Sequence, residues 1–271
     1  MGYQPKNERR TCICGELRIN IRDNVWRARL ERDNPVHHAY YFRCQRCHSF
    51  SSVNLYFPVE AYTETPIAAF FVGEQKVRLN ESRVQWIRQR TALPENAVFF
   101  DLGAGEGCFV DHFTKSFPQG QAVAVEHDER MREKFYGPFE RVNFVVAFLE
   151  DFLRESGEFP APDLVALTDV LEHVISPETV LEMVSERLNP GGYAYLTIPN
   201  SRSYGDYPHR LKEVEVDWSA ANTARQHLWM MEPRAFVDLV ARYFDVVEMS
   251  RSFETNIRQD SDYITVLATT K

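Results

Sequence analysis

The chain has 271 residues, enough to bury a sizeable core in one large domain or in a large and a small one. Its 44% hydrophobic and 26% charged residues are ordinary for a soluble globular protein, and no apolar run approaches the ~18–20 residues of a membrane span. A net charge of −8 argues against a uniformly basic nucleic-acid binder, but the charge is uneven: residues 1–100 carry 15 Lys and Arg against 10 Asp and Glu, and residues 101–271 carry 16 against 29.

The opening stretch "MGYQPKNERRTC" lacks the apolar core of a signal peptide and a Ser or Thr at the sixth position. It predicts a cytoplasmic protein with reduced thiols. Cys12 and Cys14 follow in "TCICGEL", and Cys44 and Cys47 in "FRCQRCHSF". Two close thiolate pairs can hold one soft ion tetrahedrally, so these four cysteines predict a structural Zn2+ site. The pairs depart from the common spacing, being C-x-C and C-x2-C with a long stretch between them, so His37, His38 and His48 are substitute ligands. "LRINIRD", "VWRARLE" and "HHAYYFR" alternate like strands. Residues 10–55 therefore read as a zinc ribbon within a front module of residues 1–55, followed by a connector over 56–78. "LNESRVQWIRQRTAL" then predicts an amphipathic helix with Val84, Trp86, Ile87 and Leu93 inward and Asn80 or Ser82 as its cap.

Beyond residue 96, strands and helices alternate. The predicted strands are "AVFFDLG", "AVAVEHD", "VNFVVAF", "DLVALTDV" and "GGYAYLTIP", then "FDVVEMSRSF" and "DYITVLATT". Between them lie helices in "GCFVDHFTKSF", "ERMREKFY", "FLEDFLRES", "SPETVLEMVSERL" and "EPRAFVDLVARYF". This is the βαβ pattern of a parallel sheet covered on both faces, an α/β, doubly wound domain over 79–271. Ligands in such sheets bind at the carboxyl ends of the strands, near the switch in strand order.

"VFFDLGAGEGCFV" supplies the main chemical signal. Gly103, Ala104 and Gly105 allow a tight turn and close approach to a ligand. A dinucleotide fingerprint needs a third glycine at position 108, where this chain has Cys108; its third glycine is Gly107. Asp101, just before the turn, suits a ligand that carries a cation beside its carboxylate, as an amino acid does. Glu126 ends the next strand, where an acid accepts hydrogen bonds from ribose hydroxyls. Amino acid plus ribose describes S-adenosylmethionine. Cys108 reads as a packed apolar residue.

These motifs resemble the class I S-adenosylmethionine-dependent methyltransferases over about residues 80–271. "DLGAGEG" is similar to that family's glycine motif and "VEHD" to its ribose-binding acid, here Glu126. The resemblance implies a Rossmann-like sheet and an adenine site at "FLED", with Phe148 and Leu149 as walls. "LTDVLEHV" matches the motif after the fourth strand, which adds Asp169 to the cofactor residues, and "LNPGGYAYLTIPN" matches the one around the fifth. A ribbon ahead of such a domain also resembles, more loosely, the sugar C-methyltransferases of deoxysugar pathways. Their His-Glu-His cluster is reduced here to Gln226-His227 in "ARQHLWMM".

The resemblance makes the expected activity methyl transfer to a small-molecule acceptor, a sugar or sugar-containing compound, at oxygen ahead of carbon. A hydroxyl acceptor needs a base, and His227 and His173 are the candidates. "NSRSYGDYPHR", with Tyr204, Tyr207 and His209, could close over the acceptor. The basic front could grip an anionic handle such as a diphosphate. RNA methylation with the ribbon reading nucleic acid is the alternative, weakened by the acidic main domain; a noncatalytic cofactor-binding module is the other.

Overall fold

The structure, a computed structural model, describes residues 11–16, 25–29, 38–52, 74–134, 141–200, 227–250 and 263–271. They fall into two compact units. The larger comprises Ala69–Leu171, Glu178–Ile198 and Val240–Lys271, and the smaller Met1–Ala68, Glu172–Pro177 and Pro199–Leu239. Of the segment 199–239, the described residues 199–200 and 227–239 fall in the smaller unit.

In the larger unit the apolar runs become strands β4 (Val98–Leu102), β5 (Gln121–Glu126), β6 (Val142–Val146), β7 (Leu164–Thr168) and β8 (Tyr193–Pro199). With β10 (Phe244–Ser250) and β11 (Tyr263–Thr270) they form a seven-stranded sheet of order β10-β11-β8-β7-β4-β5-β6. β6-β5-β4-β7-β8 are parallel and β10-β11 antiparallel. β4 is the first strand of the series. The chain moves from it through β5 and β6 to one side, then returns to build β7 and β8 on the other. The switch therefore lies between β4 and β7, and the carboxyl ends there are Leu102 and Thr168.

Both faces of the sheet are covered, so β4 and β7 read as nearly unbroken apolar runs. On one side α1 (Glu74–Arg88) and α2 (Cys108–Ser116) contribute Val84, Trp86, Ile87, Phe109, Val110 and Phe113 to a core with Phe99 and Tyr195. The Phe99 and Phe113 rings lie 4.4 Å apart, and Phe113 stacks on Phe117 at 4.6 Å. On the other side Phe100 meets Phe152 of α4 (Leu149–Glu155) at 5.5 Å, and the Arg187 guanidinium of α5 (Pro177–Arg187) sits 5.5 Å from its ring. Each such buried aromatic contributes about 1.5–3 kcal/mol. α3 (Arg130–Lys134) lies between β5 and β6 in the chain, and α6 (Pro233–Val240) precedes β10.

α1 begins at Glu74, earlier than the sequence pattern suggests, and ends at Arg88. Asn80 and Ser82 are thus mid-helix rather than caps. Asn80 is buried, its Oδ1 accepting from Arg83 at 3.3 Å, which gives a polar residue a use inside a helix.

The smaller unit holds an antiparallel sheet of order β1-β2-β3-β9, from Val25–Arg29, His38–Arg43, Phe50–Ser52 and Trp229–Met230. β1 and β2 lie in "VWRARLE" and "HHAYYFR", as the alternation predicts, whereas "LRINIRD" lies outside the described residues. β9 has no sequence signal; it is a strand because Phe50 and Ser51 pair with Met230 and Trp229. No helix among the described residues is long and apolar enough to cross a membrane. The connector over 56–78 lies mostly outside the described residues.

Candidate functional site

At the carboxyl end of β4 the chain turns sharply. The amides of Gly103 and Ala104 both donate to the Val125 carbonyl of β5, at 2.8 and 2.9 Å. Gly103 has φ +88°, and a Cβ there would lie 2.5 Å from Val170 Cγ2, so only glycine fits against the chain leaving β7. Gly105 has φ +53°, and a Cβ there would meet nothing within 4 Å. One glycine closes the turn against its neighbour; the other faces open space that a ligand can enter. Gly107 precedes α2 with no side-chain cap, which leaves helix N-terminal amides available to an anion.

Asp101 is only 1% exposed, and its Oδ1 has no hydrogen-bond partner. Burial pushes its carboxyl up to about 7, against the pull of the Arg83 charge and with the help of Glu126. A buried acid with an unused acceptor atom is poised for a cationic donor.

Glu126, at the end of β5, is also buried. Its Oε2 accepts the Gly105 amide at 2.9 Å, and its Oε1 accepts the Asp128 amide at 3.1 Å and faces His127 Nδ1 at 2.8 Å. Burial opposes its ionisation. Hydrogen bonding from His127 and the two amides outweighs that and holds the carboxyl below its ordinary value. Glu126 therefore anchors the glycine turn and keeps lone pairs that can accept further hydrogen bonds.

Phe148, 44% exposed, stacks nearly flat on His127 with ring centroids 5.7 Å apart. Leu149 is half-buried at the start of α4. Asp169 follows β7 with φ +57°, a conformation that Asp tolerates through local hydrogen bonding. Its amide donates to the Thr197 carbonyl at 3.1 Å and to the Thr197 hydroxyl at 3.2 Å. Asp101, Gly103, Gly105, Glu126 and Asp169 thus share the carboxyl-end side of the sheet, around the switch point.

Sequence reasoning missed Arg83 and took Asn80 for a helix cap. Both are buried polar residues on α1, and Arg83 also lies 5.9 Å from the Phe109 ring. The available signal was a polar pair three apart on the face that carries Val84 and Ile87. It also missed His127 as the partner of Phe148.

This donor set fits an amino-acid ligand joined to a nucleoside. Residues 78–248, more than half of the chain, match a family model described as a methyltransferase domain. The chain belongs to that family.

Among relatives of this methyltransferase, a trans-aconitate 2-methyltransferase of Variovorax paradoxus is 26% identical over 162 residues, covering 58% of this chain and 61% of its own. A ubiquinone biosynthesis O-methyltransferase of Hydrogenovibrio crunogenus is 24% identical over 132 residues, covering 48% and 53%. The chain thus spans between half and two thirds of these relatives' length. The crystal structure of a Burkholderia thailandensis 1,6-didemethyltoxoflavin-N1-methyltransferase with bound 1,6-didemethyltoxoflavin and S-adenosylhomocysteine shares the fold. Its TM-score is 0.56 at 17% identity, over 90% of this chain and 99% of that one.

The methyltransferase has two further clusters, both within the smaller unit. In the first, Nε2 of His173 and Nε2 of His227 lie 3.8 and 4.0 Å from Glu172 Oε1, with the two rings 4.7 Å apart. Sequence reasoning named both histidines but neither their proximity nor Glu172. Burial, then the neighbouring His173, holds the His227 imidazole well below its ordinary pKa. The second cluster brings the sulfurs of Cys12, Cys14, Cys44 and Cys47 within 4.8 Å of one another, with Cys12–Cys47 and Cys14–Cys44 at 3.6 Å. Cys44 and Cys47 sit in the turn between β2 and β3, where the Cys44 amide donates to the Ser49 carbonyl at 2.9 Å. The hydrogen bond from Cys12 lowers the Cys47 thiol, but the Cys44 thiol and burial outweigh it and push the thiol up to about 12. Cys108 is buried on α2. His37, Tyr204, Tyr207, His209 and Gln226 lie outside the described residues, as does the His38 side chain.

Proposed function

We propose that this methyltransferase moves a methyl group from S-adenosylmethionine to an oxygen of a small-molecule acceptor. The observation that carries this reading is the buried Asp101 with its unused Oδ1, set beside a glycine turn that opens at Gly105 and is pinned by Glu126. Bound S-adenosylmethionine supplies an electrophilic methyl group. Ionised Asp101 answers the ligand's ammonium and Arg83 its carboxylate. Glu126 accepts from ribose hydroxyls while holding the Gly105 amide. His127 and Phe148 present a flat apolar face to a purine, with Leu149 beside it, and Asp169 closes the β7 side. Glu126→Ala removes a charged acceptor and frees the turn. Losing such a partner costs about 1.5–3 kcal/mol, so calorimetry should show affinity for S-adenosylmethionine weakened roughly 10–100-fold. Unchanged affinity removes Glu126 from the site.

His227 is the proton acceptor in this reading, with His173 and Glu172 beside it. The relatives named for O-methyl transfer support oxygen as the acceptor atom. A sugar-bearing compound with an anionic handle is the acceptor we favour, on the excess of Lys and Arg in residues 1–100. Incubating a whole-cell extract with the protein and methyl-labelled S-adenosylmethionine and reading labelled products by mass spectrometry tests the acceptor class. A product labelled only on RNA overturns it.

The four cysteines are assigned to one structural Zn2+. Sulfurs around zinc, each about 2.3 Å from it, lie roughly 3.8 Å apart, close to the observed pairs. Such a site belongs to a reducing, cytoplasmic setting and would stabilise a small sheet with little core of its own. Elemental analysis should find one zinc per chain in the wild type and none in Cys44→Ser, whose melting temperature should fall. A zinc-free wild-type protein with an intact thermal transition overturns the assignment.

A further inference from the structure

We propose that Glu172, His173 and His227 form a site for a first-row divalent cation, separate from the four-cysteine cluster and bound through one carboxylate oxygen and two imidazole nitrogens. Their ligating atoms lie within 4.8 Å of one another. Both Nε2 atoms face the same carboxylate oxygen, at 3.8 and 4.0 Å. Those separations are too long for hydrogen bonds. They approach the roughly 3.0–3.5 Å between two ligands that each lie about 2.0–2.2 Å from one cation. Small side-chain rotations would seat the ion.

Backbone, not sequence spacing, brings these groups together. The Glu172 carbonyl accepts the amides of Leu228 and Trp229, at 2.7 and 3.0 Å. Trp229 Nε1 donates to the Val174 carbonyl at 3.0 Å. Three hydrogen bonds thus clamp the segment at 172–174 to that at 228–229, and β3 holds β9 from its other side. The side chains of Glu172 and His227 are 2% and 6% exposed, whereas that of His173 is 19% exposed. Two ligands are fixed in the interior and the third reaches toward water, which leaves coordination positions for solvent or an acceptor oxygen. Two imidazoles and a carboxylate favour Mn2+, Fe2+, Co2+ or Zn2+ over Ca2+, and they differ in softness from the thiolate cluster.

The site stands without methyl transfer; its use rests on the reading above. In the metal-free protein His227 takes the acceptor proton; with the cation in place both imidazoles would be its ligands, and the cation would lower the pKa of the acceptor hydroxyl instead.

The test is a Mn2+ titration of the full chain, zinc-loaded, followed by electron paramagnetic resonance. Mn2+ is a poor partner for thiolates. One saturable equivalent is expected. Glu172→Gln, His173→Gln and His227→Gln should each weaken it by at least about 100-fold, beyond the 10–100-fold typical of losing a residue that only orients a ligand. Absence of saturable binding, or equal binding in all three variants, overturns the site. Should the variants fail to fold, the wild-type Co2+ spectrum decides: nitrogen–oxygen bands support the site, and thiolate charge-transfer bands alone overturn it. S-adenosylmethionine affinity, measured on the same samples, reports separately on the cofactor reading, because none of the three ligands belongs to the glycine crevice.

Discussion

Replacing His227 with alanine should lower methyl-transfer turnover by about 10²–10⁴-fold, the range that general acid–base groups supply. Affinity for S-adenosylmethionine should stay nearly unchanged. His227 is buried beside Glu172 and His173. The loss should fall on kcat, since a hydroxyl acceptor can bind without being ionised. His227→Gln keeps most of the volume and a polar tip, so it separates lost chemistry from lost packing. A variant that folds, binds cofactor and turns over normally removes His227 from the proton step. If His173→Ala alone is slow, the assignment passes to His173.

Asp101→Asn should stabilise the cofactor-free protein while weakening S-adenosylmethionine binding. The folded carboxyl titrates at about 7, against 3.8 for the ordinary group. Between those values the native state holds a proton that the unfolded chain releases, so Asp101's contribution to stability declines as pH rises and levels off above about 7. The ionised buried carboxylate then withholds at most about 4 kcal/mol. Urea unfolding should show little difference between variant and wild type near pH 4 and a growing advantage of the variant up to pH 7–8. Cofactor affinity at pH 8 should meanwhile drop about 10–100-fold, as expected for a lost charged hydrogen bond. An advantage that does not change with pH sinks the argument. The pairing of gain and loss marks Asp101 as a residue kept for its ligand.

The glycine turn, Asp101 and Glu126 were legible in the sequence because their chemistry is local. A strand end, a bend without side chains and an acid after the next strand are all written within a few residues. The strands and most helices were legible for the same reason. What escaped depends on distant pairing. β9 is two residues long and owes its identity to Phe50 and Ser51. Glu172 and His227 are separated by more than 50 residues and meet through carbonyl and amide groups that every residue carries. The early start of α1 was hidden because Asn80 looks like a cap, and its burial against Arg83 is visible only once the helix is packed.

The pairing of β3 with β9 constrains how this gene can be cut. A fragment starting near residue 79 would keep Trp229 and Met230 but lose the strand that covers their backbone. It would then present an apolar edge to other chains, a common cause of inclusion bodies. A fragment ending near residue 55 would carry the cysteines on a sheet missing its last member. The cysteine-bearing front is therefore no interchangeable cassette. Recombination between relatives should succeed only when a crossover carries 227–231 along with the front, so that both halves of this handshake come from one parent.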